Sequence, residues 1–492
     1  MEISLPHPSA PKNDLWEHQQ IAIQRAKTMD FFAFLFQPGL GKSRTTIEVL
    51  RQKFTEHNSI LPTLILAPPV VIKNWKDEWV KFSKIKPEKV VPLIGTGKQR
   101  LKLLQDSPLD SIWIVNYETF SVKEMKPIIE EFKKRFSTSK LPCVLVADEA
   151  HRLKDITAKR TKAVMDIAPL FKYRYLLTGT PVLNDYRDIF SQFYILDLGQ
   201  RFGKNFYSFK ATYFTDLNRH MPKQKYFPNI QLIKGMEEQL KRKMQDCSMF
   251  ADKLTCLDLP PLLKKTIEVE MGSEQKRLYE SMKRDLIATI LGEDGKLRAS
   301  IAELAITKAL RLQQICSGHL RVENDNGQTG TLKIKDNPRK QALKELLMDL
   351  AIRNKILVWS VFKDNYDDIR QVCRDLDLEF AELHGEITNK EDQIEKFRND
   401  PKVKVLIGNP LSAGLGINLV EASYMIYYSR SFSLEADIQS EARCYRAGSE
   451  RHTSITRIDI VCRGTIDELV LNALAKKQQL GDRLLRDHLQ EI

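Results

Sequence analysis

The sequence has no uninterrupted apolar run long enough to span a bilayer, and its opening, MEISLPHPSAPKND, lacks the basic-then-apolar layout of a signal peptide. A membrane partner is not expected. Cysteine is sparse and scattered, at 143, 247, 256, 316, 373, 444 and 462. No C-x-x-C pair and no His/Cys cluster at zinc spacing is present, which argues against a disulfide framework and a structural zinc site. Internal repeats and low-complexity tracts are lacking too. Acidic residues fall short of basic ones, 64 against 77, leaving a formal charge of +13. Fixed cations release counterions from phosphates on binding, so this excess favours a polyanionic partner such as nucleic acid. At 492 residues the chain exceeds one ordinary core and implies two or three domains.

Short apolar, β-branched runs recur, each closed by a polar or glycine-bearing turn: FFAFLF at 31, TLILAPP at 63, SIWIVNY at 111, CVLVADE at 143 and YRYLLTG at 173. Runs of this kind, buried on both faces and followed by helix-like stretches, are parallel strands covered by helices. From about 187 to 256 the chain turns rich in Phe, Tyr, Lys and Met, and reads as a helical insertion with no strong strand before KKTIEVEM. VENDNGQTGTLKIKDNP at 322–338 reads as a loop or hairpin. Strand-helix alternation resumes with KILVWSV at 355, EFAELHG at 379, VKVLIGN at 403, YMIYYSR at 424 and ITRIDIV at 455. The expected class is α/β with two parallel-sheet lobes flanked by helices, residues 1–271 forming the first and 272–492 a connecting segment and the second.

LFQPGLGKSRTT at 35–46 has the makings of a phosphate-binding loop, although Phe36 stands where the strict pattern has its first glycine. It follows a strand and opens a helix, where free backbone amides meet an anion. Gly39 and Gly41 would let the backbone approach a triphosphate, Lys42 would reach the outer phosphates, and Ser43 would offer a hydroxyl to magnesium. A glycine turn before an ordinary helix is the plain alternative. Asp148 and Glu149, closing the strand CVLVA, shift the balance: one carboxylate can hold a magnesium shell while the next orients the attacking water. His151 has no partners at metal-ligand spacing and is expected to bridge the carboxylates to Thr178.

These residues resemble superfamily-two helicase-like ATPases, and within them the Swi/Snf-like DNA translocases, whose shorter phosphate loop does not require the missing glycine. LWEHQ, ending at Gln19, resembles the adenine-reading segment. TLILAPPVVIKNWKDEW carries Asn74, Trp75 and Glu78 of the next motif, and IWIVNYETF supplies Tyr117 and Glu118 at a strand end that contacts DNA in the family. YLLTGTPVLND resembles the lobe-coupling segment, with Thr178, Gly179, Thr180, Pro181 and Asn184. NPLSAGLGINL, with Gly416, resembles the glycine-rich segment near ATP and DNA, but Asn409, Pro410 and Ala413 depart from the usual residues. DIQSEARCYRAGS resembles the last motif and places Gln439, Arg443 and Arg446, with Ala442 and Ser449 where Asp and Gln are common.

The resemblance implies two RecA-like lobes with helical insertions, ATP and Mg2+ as cofactors, and DNA, duplex or branched, as partner. Charge gathers on the γ-phosphate oxygens during transfer, and an arginine finger relieves it, by analogy worth roughly 10³ to 10⁵ in rate. Supplied from the second lobe, the finger would tie hydrolysis to lobe closure. Lys73, Lys98, Arg100 and Lys363 are the candidate phosphate-backbone contacts, which position without reading sequence, and Asn74, Trp75 and Tyr117 join them as candidate DNA-binding residues. The leading expectation is a sequence-independent DNA motor. The alternatives are a strand-separating helicase, with 322–338 as the candidate wedge, and an ATP-switched DNA-binding subunit working with protein partners. The expected setting is cytoplasmic in a bacterium or virus, nuclear in a eukaryote.

Overall fold

Every apolar run singled out in the sequence is a parallel strand. The computed structural model describes residues 15–222, 228–291, 298–323, 329–411 and 417–486. These form two compact units, one of residues up to His220, Phe227–Asp258 and from Lys477, the other of Met221–Tyr226 and Leu259–Lys476.

In the first unit the strands are β1 (Phe31–Phe36), β2 (Thr63–Ala67), β3 (Val90–Pro92), β4 (Ile112–Asn116), β5 (Val144–Asp148) and β6 (Tyr173–Leu177). A small antiparallel hairpin follows, β7 (Phe214–Asp216) with β8 (Ile230–Leu232), and then β9 (Ser248–Ala251). Seven of them make one sheet in the order β3-β4-β2-β5-β6-β1-β9, parallel throughout. Alternation along each strand feeds two cores: Ala33, Leu35, Leu64, Leu66, Trp113 and Val115 point to one face, Phe32, Phe34, Phe36, Ile65, Ile112 and Ile114 to the other.

The second unit holds β10 (Leu262–Val269), the hairpin β11 (His319–Glu323) with β12 (Thr329–Lys333), β13 (Lys355–Trp359), β14 (Glu379–Leu383), β15 (Val403–Gly408), β16 (Ala422–Tyr427) and β17 (Ile455–Cys462). Its parallel sheet runs β10-β17-β16-β13-β15-β14. Again the two faces separate, Leu357 and Trp359 against Ile356 and Val358.

Two expectations need correction. The segment 187–256 is not purely helical, because β9 pairs with β1 over Ala33–Phe36 and forms the sheet edge. SMFA is too short to carry a strand pattern of its own, and its partner supplies the missing hydrogen bonds. The chain also leaves the first unit at Asp258, not 271, because β10 pairs with β17 along its full length, and it returns to that unit from Lys477. No helix among the described residues is long and apolar enough to cross a membrane.

Gly408 closes β15 against a rigid neighbour: a Cβ there would lie 2.4 Å from Cζ3 of Trp359, whose ring is fully buried. Gly408→Ala should destabilise the second unit by about 1–3 kcal/mol through overpacking. Urea denaturation followed by tryptophan fluorescence measures this, and an unchanged midpoint would contradict the packing described.

Candidate active site

The loop after β1 turns through two glycines in the left-handed region, Gly39 at φ 94° and Gly41 at φ 74°. Gly41 sits at the N-cap of helix α2 (Lys42–Glu56) with no side-chain cap, so the first-turn amides are left for an anion. The loop is held from both sides. Gln19, on helix α1 (Glu17–Lys27), is buried; its Oε1 accepts from Trp16 N at 3.1 Å and its Nε2 donates to Leu40 O at 3.3 Å. His18 Nε2 also lies 3.0 Å from Leu40 O. A Cβ on Gly41 would meet Gln19 Nε2 at 2.2 Å, so a side chain at that position would force the Gln19 amide away.

Lys42 is buried, and its Nζ donates to Phe36 O at 3.2 Å and stands 4.0 Å from Glu149 Oε1. Glu149 adopts φ 52°, an unusual conformation for a non-glycine residue that costs about 1–2 kcal/mol. The turn sends its carboxylate back across the site, with Oε2 3.4 Å from His151 Nδ1. His151 Nδ1 is in turn 3.1 Å from Thr178 Oγ1, which accepts from Thr180 N. A polar row thus runs Lys42, Glu149, His151, Thr178 across the carboxyl ends of β1, β5 and β6. Gly179 completes it by close approach, since a Cβ there would be 2.8 Å from Phe36 O. Pro181 O accepts from Gln192 Nε2, and Asn184 N donates to Asp188.

Asp148 lies beneath this row. Burial first, and then the neighbouring Glu149 charge, push its carboxyl up to about 6. Trp75 Nε1 donates to Oδ2 at 2.8 Å and Glu149 N to Oδ1 at 2.9 Å, both favouring the ionised form. Tyr117 OH donates to the Asp148 carbonyl at 2.6 Å. The buried Asp148 carboxylate and the half-buried Ser43 hydroxyl, in the first turn of α2, are hard oxygen donors of the kind that suits Mg2+, with water completing its shell.

In the second unit the helix Leu434–Glu441 carries Gln439, whose Oε1 accepts from Arg443 Nη2 at 2.7 Å. Arg443 Nη1 also donates to Ile417 O. Arg446 follows three residues later, half-buried. Ala442 and Ser449, the two departures in this stretch, are both buried. Asn409 donates to Tyr366 OH and Val361 O. Gly416 and Ala413 lie outside the described residues.

An SNF2-related domain matches residues 34–320, and a helicase conserved C-terminal domain matches 338–448. The chain belongs to the SNF2-related family. It is an ATP hydrolase of that type, with the SNF2-related and helicase C-terminal domains both present. Protein p41 of Acyrthosiphon pisum secondary endosymbiont phage 1 is 26% identical over 91% of this chain and 92% of its own length. An uncharacterized ATP-dependent helicase of Mycoplasma genitalium is 25% identical over 91% of this chain, which spans only 39% of it. The SWI2/SNF2 ATPase core of Sulfolobus solfataricus in complex with dsDNA is 24% identical over 97% of this chain and 94% of its own, with a TM-score of 0.42.

The candidate DNA contacts differ in exposure. Trp75 and Tyr117 are buried, and each gives its donor to Asp148. Arg100 is half-buried and committed to Gly95 O, Asn116 Oδ1 and Thr119 Oγ1. Lys73 and Lys98 are exposed and Asn74 half-buried; Lys363 is exposed but paired with Glu386 at 2.6 Å.

Sequence reading missed the group under the last-motif helix. Asp437, one turn before Glu441, is buried against Arg430 and Arg457, which also hold Asp459, and Arg457 reaches Glu441 at 2.7 Å. These charges come from separate elements, with no local pattern to reveal them. Arg457→Met would leave three carboxylates short of their buried cation, at a cost of about 3–5 kcal/mol. Chemical denaturation of Arg457→Met and of Arg457→Met with Asp437→Leu checks this: the double variant should be the more stable of the two, and equal or greater loss would contradict the pairing.

Proposed function

We propose that this chain is an ATP-driven motor on duplex or branched DNA that grips the phosphate backbone without reading sequence. The observation that carries this reading is the buried row Lys42–Glu149–His151–Thr178 over Asp148, beside an uncapped helix N-terminus. Bound Mg2+ would neutralise phosphate charge. Ser43 and Asp148 are the residues that would hold it, Gly39, Gly41 and Lys42 bind the phosphates, and Gln19 fixes the loop from the base side. Glu149 takes the proton from the attacking water, and its left-handed backbone keeps the carboxylate turned toward Lys42. His151 links that carboxylate to Thr178, so a change at the phosphates is felt at the exit of β6. Gln439 orients Arg443, and with Arg446 these are the second-unit residues required for turnover.

Membership of the SNF2-related family supports DNA as the track, and the excess of basic residues agrees with a polyanionic partner. Lys73 and Lys98, exposed after β2 and β3, remain the proposed backbone contacts. One observation favours strand separation as a second reading: β11 and β12 form a hairpin, tied down by Arg321 and Thr331 to Asp364 and by Lys333 to Asp368.

Steady-state ATP hydrolysis with no nucleic acid, single-stranded DNA, duplex DNA, a branched junction and duplex RNA tests the proposal. Strong stimulation by duplex or junction is expected, and equal turnover in every arm would refute a DNA motor. A forked duplex assayed for strand release decides the second reading. Glu149→Gln should bind ATP but lose turnover by orders of magnitude; near-normal hydrolysis would remove the assigned role. Arg446→Ala should lose duplex-stimulated turnover with ATP affinity retained, and undiminished turnover would exclude it from catalysis.

A further inference from the structure

The insertion is strongly basic. Between Leu198 and Cys247 there are ten lysines and arginines and four aspartates and glutamates, in about a tenth of the sequence. Three of the four acids are used internally. Glu237 accepts from Tyr186 OH and pairs with Lys241, which also pairs with Glu238, and Asp216 accepts the backbone amides of Asn218 and Asn229. Lys204, Lys210, Arg219, Lys234 and Arg242 have no acidic partner among the described residues, and all but the half-buried Lys210 are exposed.

An aromatic ring lies between the first two of these cations in the sequence. Tyr207 is 79% exposed on the helix Phe206–Tyr213, although that helix packs its other aromatics, Phe209 and Tyr213, into the core. Asn205 caps the helix through Tyr207 N and Ser208 N, which fixes where the ring projects. Lys210 is three residues on and shares its face. Lys204 lies just before the cap, its stem against Gly199. Lys243 crosses from the helix Met236–Gln245 to donate to Arg201 O at 3.0 Å, with Nζ 5.7 Å from the Tyr213 ring.

The insertion extends along the adjoining sheet: Glu237 bonds Tyr186 after β6, and Phe206, beside Tyr207, packs on Phe190. Arg201 lies over Phe31, the first residue of β1, and Arg174 at the start of β6 donates to Leu196 O. None of Lys204, Tyr207 and Lys210 belongs to the Lys42–Glu149–His151–Thr178 row.

We propose that this face of the insertion binds single-stranded DNA, an unpaired base stacking on Tyr207 while Lys204 and Lys210 take the adjoining phosphates. An exposed ring flanked by cations suits single strands, whose bases offer a free π-face, better than duplex, whose bases are already stacked. The inference rests on the DNA-motor reading and extends it, giving the motor a second hold on an unpaired arm.

The test uses the whole chain and two fluorescent DNAs, a blunt duplex and the same duplex with a single-stranded thymidine arm, titrated by anisotropy at several salt concentrations without ATP. Tyr207→Ala should weaken binding of the armed duplex at least about fivefold and leave the blunt duplex unchanged, with Tyr207→Phe restoring most of the loss. Lys204→Ala combined with Lys210→Ala should lower the salt slope for the armed duplex by about 1–1.5. Unchanged arm binding in both variants overturns the inference, and would leave the face to a protein partner. Equal loss on both DNAs overturns it as well, since the arm would then not be what is recognised. Duplex-stimulated ATPase of the unaltered chain reports separately on the motor, so failure of one reading is distinguishable from failure of the other.

Discussion

The structure of the first unit depends on keeping the Asp148 carboxylate ionised out of water. Burying a charge is costly unless donors surround it. Here the donors come from three directions: Trp75 on the helix after β2, the amide of Glu149 on its own turn, and the Lys42 charge on the helix after β1. Parallel pairing makes this convergence possible, because β1, β2 and β5 all deliver their following segments to the same edge. Tyr117, after β4, holds the Asp148 backbone itself. The residue that would meet a metal is therefore fixed by four strand exits at once, and its remaining tendency to protonate is what a bound divalent cation would oppose.

The second unit solves a similar problem by other means. The helix bearing Gln439 does not rest on apolar packing alone; Asp437 sits between two arginines that are also shared with Asp459 and Glu441. Such a group stabilises little in total, since desolvation offsets much of the attraction, but it tolerates few alternative positions. For the helix that leads into Arg443 and Arg446, that restriction is the main effect of the group.

Strand positions were legible in the sequence because runs such as TLILA and CVLVA are buried on both faces and cannot be mistaken for surface. β9 was not legible: four residues, SMFA, become a strand only because β1 offers an edge. Trp75 and Tyr117 show a different limit. Their motifs are recognisable, but a motif assigns a segment to DNA without saying which of its side chains turn inward, and an indole or phenol near a buried carboxylate does turn inward. The candidate site residues from 39 to 43 and at 148 and 149 could be named from the sequence because phosphate chemistry demands glycines, a lysine and paired acids in fixed order. The Asp437 group obeys no such order, since its members meet only in the folded sheet.

Close-packed interiors have low compressibility and pass strain on rather than absorb it. The insertion touches the starts of β1 and β6 through Arg201 and Arg174 and the segment after β6 through Tyr186, with both faces of those strands filled between. A nucleic acid held at Tyr207 would supply no group to Lys42 or Glu149. What such a contact alters is how long the chain stays on its substrate, so its consequence belongs to affinity and to dissociation between turnovers rather than to the chemical step.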